Sequence, residues 1–177
     1  MLQQSQLPLT NNHARLRALH FDDAAPYAAG TADPAVREFG HLPEPEYTPA
    51  SVRAMIERDA APGLERGDLA VLAIANAADD AFVGSLVIFD VRADSAEVGF
   101  WLHPSARGRG FASSALALAA EFAQRSGLST VTARTAADNA ASQRTLESAG
   151  FRAGTTETAT APSGKRIDIV HYELPLS

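Results

Sequence analysis

The stretch HPSARGRGFASSALALAAEFAQRSG, His103 to Gly127, constrains the fold more than any other part of the chain. It follows AEVGFWL (Ala96–Leu102), an apolar run that suits a strand, and it places two arginines and two glycines ahead of a helical pattern. That helix carries Leu118 and Phe122 and meets a stop signal at Gly127. STVTAR (Ser129–Arg134) is strand-like again. Strand, tight turn, helix and returning strand form a crossover unit, so these two strands are expected to run parallel.

The flanking segments fill in the remainder. LAVLAIA (Leu69–Ala75), FVGSLVIF (Phe82–Phe89) and AEVGFWL are separated by the turn-rich NAADD and RADS, which predicts an antiparallel meander. Further upstream, ARLRAL (Ala14–Leu19) alternates as a half-buried strand does, and Asp22 and Asp23 are placed to cap a short helix through about Gly30. DPAVREF, from Asp33, reads as a second short helix. HLPEPEYTP (His41–Pro49) is too rich in proline for regular structure, and Thr48-Pro49 then opens a helix through about Asp59. Downstream, Asn139–Ala149 reads as a helix with Gly150 as its stop, and strands near Phe151–Thr160 and Arg166–Leu174 flank the turn signal PSG. No repeat or linker divides residues 1–177, so one domain is expected. Its fold class is α/β (α+β): a mixed sheet, antiparallel first and parallel at one junction.

Composition narrows the function. A formal net charge of −6 argues against a nucleic-acid or anionic-membrane binder, which would show a basic face. The absence of cysteine removes disulfides, thiolate catalysis and cysteine-ligated metals. His13, His20, His41, His103 and His171 show no metal-ligand spacing, so no metal is expected. MLQQSQLPLT lacks the basic start and apolar run of a signal peptide, and no stretch approaches the ~20 apolar residues of a membrane helix. A cytoplasmic location is expected.

The glycine loop points to an anion. The first turn of a helix presents backbone N–H groups without internal partners, and the helix dipole adds partial positive charge there. Glycines let those amides converge on a phosphate, and Arg107 and Arg109 would reinforce the charge. A plain tight turn with solvated arginines is the alternative. No GxxxxGK[ST] is present, and Ser113 stands where a dinucleotide fingerprint needs its third glycine.

RGRGFA (Arg107–Ala112), after EVGFWLHP, resembles the pyrophosphate-binding signature of the GNAT family of acyl-CoA-dependent N-acyltransferases. NAASQRTLESAGF (Asn139–Phe151) is similar to that family's later helix with its terminal Gly-Phe. The opening LRALHFDDAAPYAAGTADPAVREF and the closing RIDIVHYEL are similar to the RimJ/RimL-like branch, which acetylates protein N-termini and related amines. The resemblance spans nearly the whole chain. It implies a mostly antiparallel sheet flanked by helices, with a parallel pair that splays into a V around the acyl thioester of acetyl-CoA. Carried over, the pantetheine arm pairs with backbone near Leu102, and the pyrophosphate sits on amides of Arg107, Gly108, Arg109, Gly110, Phe111 and Ala112. Asn139 contacts the cofactor arm, a role compatible with capping its helix. The branch also implies a homodimer.

The implied reaction is direct attack of a neutral primary amine on the thioester. Many members carry a tyrosine acid four residues before the Gly of Gly-Phe, where this chain has Leu146. Ser142, matching the serine of the RimJ/RimL-like branch, is then the candidate donor to the departing sulfur. Glu97 is the candidate base, ahead of Asp168 and His103; a solvated strand-end glutamate is its alternative. For acceptor recognition, Glu44 and Glu46 are candidates to attract a cationic amine and Tyr47 to close over it. A non-catalytic acyl-CoA-binding sensor is the rival reading, made plausible by the missing tyrosine.

Overall fold

Alternation of apolar residues along the strands sorts the side chains onto two faces of one sheet, and a separate core forms on each. In the computed structural model, which describes residues 1–40, 42–160 and 164–177, the strands are β1 (Leu9–Thr10), β2 (Ala14–Ala18), β3 (Ala70–Asn76), β4 (Phe82–Phe89), β5 (Ser95–Leu102), β6 (Thr130–Ala136), β7 (Arg152–Thr160) and β8 (Arg166–Pro175). His41 of the proline-rich loop and Pro162 and Ser163 of the PSG signal lie outside the described residues. The spatial order is β1-β2-β3-β4-β5-β6-β8-β7. Every neighbouring pair is antiparallel except β5 with β6, which is parallel as the crossover unit requires.

The helices are α1 (Ala24–Thr31), α2 (Pro34–Phe39), α3 (Pro49–Met55), α4 (Ala61–Arg66), α5 (Phe111–Arg125) and α6 (Ala140–Ser148). In α5, Ala115, Leu118, Ala119 and Phe122 recur at helical spacing and are buried, packing with Leu72, Ile74, Leu86, Ile88 and Val98 on one face of the sheet. On the other face Ala73 and Trp101 join Tyr27 of α1, Tyr47, and Val52 and Met55 of α3. Gly30 makes this second core possible: a Cβ there would lie 2.5 Å from the indole of Trp101.

Two local expectations change. The helix opened by Thr48-Pro49 does not stop near Asp59; it continues through one turn of π-helix, Ile56–Ala60, into α4. Pro62 lacks the N–H that an uninterrupted α-helix needs, and the wider turn lets the chain pass it before ending at left-handed Gly67 (φ 79°). Asp23 does not cap α1 with its side chain. Its carboxylate instead accepts two bonds from Arg17, at 2.8 and 3.1 Å, plus the His20 N–H at 2.7 Å. Both members of this ion pair are buried, and such a pair needs that density of bonds to offset its lost hydration.

Candidate active site

The parallel junction is short. Only Ser95, Ala96 and Glu97 of β5 pair with Thr130, Val131 and Thr132 of β6. Beyond them β5 stays bonded to β4 as far as Leu102, and β6 to β8 as far as Ala136, while the two strands part from each other. One edge of β5 from Val98 to Leu102 is therefore left without a strand neighbour. Gly84 keeps β4 tight against the far side of this segment, since a Cβ there would stand 2.3 Å from the Trp101 carbonyl. A cavity of about 400 Å³ occupies the gap, walled by Phe100 and Leu102 of β5, Ala133 and Thr135 of β6, and Ser142 and Leu146 of α6.

The glycine loop borders the same cavity through Arg107 and Gly108. Gly108 and Gly110 are both left-handed, with φ of 73° and 80°, and the space where a side chain would stand is empty to 4 Å at each. Gly110 is the N-cap of α5 and supplies no side-chain acceptor, so among the described residues no side chain caps the first turn of this 15-residue helix. Arg107 donates to Asp33 at 2.7 Å; this guanidinium, helped by the Val36 and Ala35 amides, holds the Asp33 carboxyl below the usual range against the opposing effect of burial. Arg109 lies over the Phe111 ring at 5.1 Å. A neighbouring cavity of about 480 Å³ is lined by Leu102, Gly110–Ser113 and Arg144. The sequence reading did not single out Arg144; its only signal is a cation two residues after Ser142 on the same helix.

Asn139 and Ser142 both line the gap, and the Asn139 side chain caps α6 by accepting the Ser142 N–H at 3.2 Å. Leu146, where many family members carry tyrosine, is 1% exposed and packs into the core. Glu97 sits at the last paired position of β5, buried, and accepts from Arg134 Nε at 2.8 Å. That bond chiefly holds the Arg134 guanidinium above its usual value. Glu97 lies on an adjoining polar cavity of about 560 Å³, and Arg134 borders both that space and the gap. His103 is turned to Ser105, with Nδ1 at 2.8 Å from its hydroxyl, and Asp168 accepts from Thr158 rather than pairing with Arg166.

The loop residues separate. Tyr47 packs its ring 5.7 Å from that of Tyr27 and takes the Glu44 N–H on its hydroxyl at 3.4 Å. Glu44 is paired with Arg58 at 3.1 Å, and Arg58 also binds Asp59 at 2.7 Å. Glu46 is exposed. Tyr47 borders an apolar cavity of about 350 Å³ that shares Gly99, Phe100 and Trp101 with the gap, so two cavities meet at the parting strand.

The chain matches no curated protein sequence. Among solved structures it is similar to Mycobacterium smegmatis RimJ in complex with CoA-disulfide, with 21% identity and a TM-score of 0.78 over 92% of this chain and 81% of that one. It is similar to RimL, ribosomal L7/L12 alpha-N-protein acetyltransferase in complex with coenzyme A, with 17% identity and a TM-score of 0.82 over 95% of this chain and 97% of that one. Ribosomal-protein-S5-alanine acetyltransferase from Vibrio fischeri gives 14% identity and a TM-score of 0.81, covering 97% of each chain. At these identities the likeness establishes the fold. The family described as "Acetyltransferase (GNAT) domain" matches residues 13–152, well over half of the sequence, and the chain therefore belongs to the GNAT acetyltransferase family.

Proposed function

We propose that this protein transfers an acetyl group from acetyl-CoA to a primary amine, an α-amine of a peptide or a small molecule, by direct attack in a ternary complex. One observation carries the reading: the three-residue parallel junction opens beside two left-handed glycines and a helix start with no side-chain cap. The fit of the co-substrate rests on those features. Amides of Arg107–Ala112 would take the diphosphate, and the free edge of β5 near Leu102 would pair with the amide-bearing arm, with Asn139 alongside. The thioester supplies the activated acyl group. Holding it against an amine in the gap removes much of the entropic barrier, and a β5 N–H stabilises the carbonyl oxygen as charge develops.

Proton handling needs little assistance for an α-amine. With pKa ~8 it is about a tenth neutral at pH 7, whereas a lysine amine at ~10.4 is neutral at roughly one part in two thousand. Glu97, anchored by Arg134 at the root of the gap, accepts the released proton through water. Ser142 donates a hydrogen bond to the departing sulfur, itself a tolerable leaving group with thiol pKa ~8.5. Tyr47 closes the acceptor side, and the exposed Glu46 lends negative charge to its approach, while Glu44 is held by Arg58. The test is CoA release, read with a thiol reagent, across peptide N-termini and small amines. The buried Leu146 favours a second reading, acyl-CoA binding without transfer, and CoA affinity with no release from any amine would select it.

A further inference from the structure

The apolar cavity on the Trp101 side of the sheet sets a chemical requirement on the acceptor. Tyr27, Tyr47 and Trp101 wall it and are 4%, 9% and 8% exposed, with Val71 and Val87 on the strand side and Met55 on the helix side. Its volume, about 350 Å³, is that of a site for one small group. Three of its polar lining groups hold partners. Ser85 donates its hydroxyl to the Leu72 carbonyl at 2.8 Å, Asp59 is paired with Arg58 at 2.7 Å, and Arg66 with Asp68 at 3.1 Å. Burial holds the Tyr27 phenol well above its ordinary range, with Tyr47 adding to the effect, so this wall is neutral. A charged occupant would lose its hydration against the rings and meet only Asp59 and Arg66, which are solvent-exposed and already in ion pairs.

The cavity and the gap share Gly99, Phe100 and Trp101 of β5 as wall residues. Gly99 contributes no side chain between them, so a group seated here leaves an attached nitrogen at the parting strand. Building on the acetyl-transfer reading, we propose that the acceptor amine carries an uncharged aromatic or branched aliphatic group that enters this cavity, and that acceptors with a charged group in its place are rejected.

Trp101 is the only tryptophan in the chain, so its fluorescence reports directly on this cavity. Phenylalaninamide, leucinamide, serinamide and argininamide are titrated with and without CoA, and CoA binding is measured separately by calorimetry. Phenylalaninamide and leucinamide are expected to give saturable changes at concentrations at least about tenfold lower than serinamide and argininamide. Val87→Phe, which fills the strand-side wall, should abolish the phenylalaninamide response and leave CoA affinity within about twofold. Equal responses from all four amides would overturn the proposal, as would tightest binding of argininamide, which would make the rings a cation site. Apolar selectivity in a protein that does not bind CoA would uphold the cavity assignment while sinking the acetyl-transfer reading, so the two failures are distinguishable.

Discussion

Replacing Gly110 separates an anion-binding loop from a mere turn. Its φ of 80° places it in the left-handed region, where a side chain costs about 1–2 kcal/mol in backbone energy. No atom lies within 4 Å of the added Cβ, so the cost is backbone strain alone, with Gly110→Asn at the lower end of that range and Gly110→Glu at the upper. For a chain of this length that is a fall in Tm of roughly 2–8 °C. Asparagine tolerates the left-handed region best and carries no charge. Glutamate adds a negative charge at the mouth of the amide cradle. At ~5 Å from a phosphate charge and an effective dielectric between 20 and 80, Coulomb repulsion is about 1–3 kcal/mol per charge. Gly110→Glu is therefore expected to bind CoA at least about tenfold more weakly than Gly110→Asn, by calorimetry, with both variants folded at the assay temperature. Equal CoA affinities in the two folded variants would refute the assignment of the loop.

Ser142→Ala should lower kcat about tenfold while changing CoA affinity little, because the lost hydroxyl bond matters when charge develops on sulfur; an unchanged kcat removes Ser142 from the reaction. Arg17→Met leaves the buried Asp23 carboxylate without its cation and should cost about 3–5 kcal/mol in urea unfolding; a loss under 1 kcal/mol would contradict the buried-pair reading. The three tyrosines, Tyr27, Tyr47 and Tyr172, are each raised above the ordinary phenol value chiefly by burial. Because the folded values lie above the unfolded ~10, their stabilising effect is complete below pH ~10 and is lost as pH climbs through the folded values. Phenolate absorbance should therefore lag behind that of the guanidine-unfolded chain; coincident titration curves would refute it.

The strand–glycine–helix–strand order was legible because each piece carries a local signal: apolar runs, two glycines, a helical stripe and a stop. Those signals suffice for a parallel junction, and Asn139 announced itself as a cap. The extension past Asp59 was hidden because Pro62 is a strong local stop, and only tertiary packing of Ile56 and Leu64 carries the helix through it. The two-residue β1 is too short to show any period. The ion pairs of Glu97 with Arg134, Arg107 with Asp33 and Glu44 with Arg58 join residues far apart or in different segments, and no spacing rule reports them. The apolar cavity was equally hidden, since Tyr27, Val87 and Trp101 become neighbours only when α1 settles on the sheet.

With only three residue pairs joining β5 to β6, the sheet behaves as two leaves bound at one end of a spine. The leaf made of β6, β8 and β7 supplies the far wall of the gap through β6, so the placing of that wall depends on how β7 and β8 hold β6. A change of twist in that outer ribbon would alter how widely the two leaves stand apart.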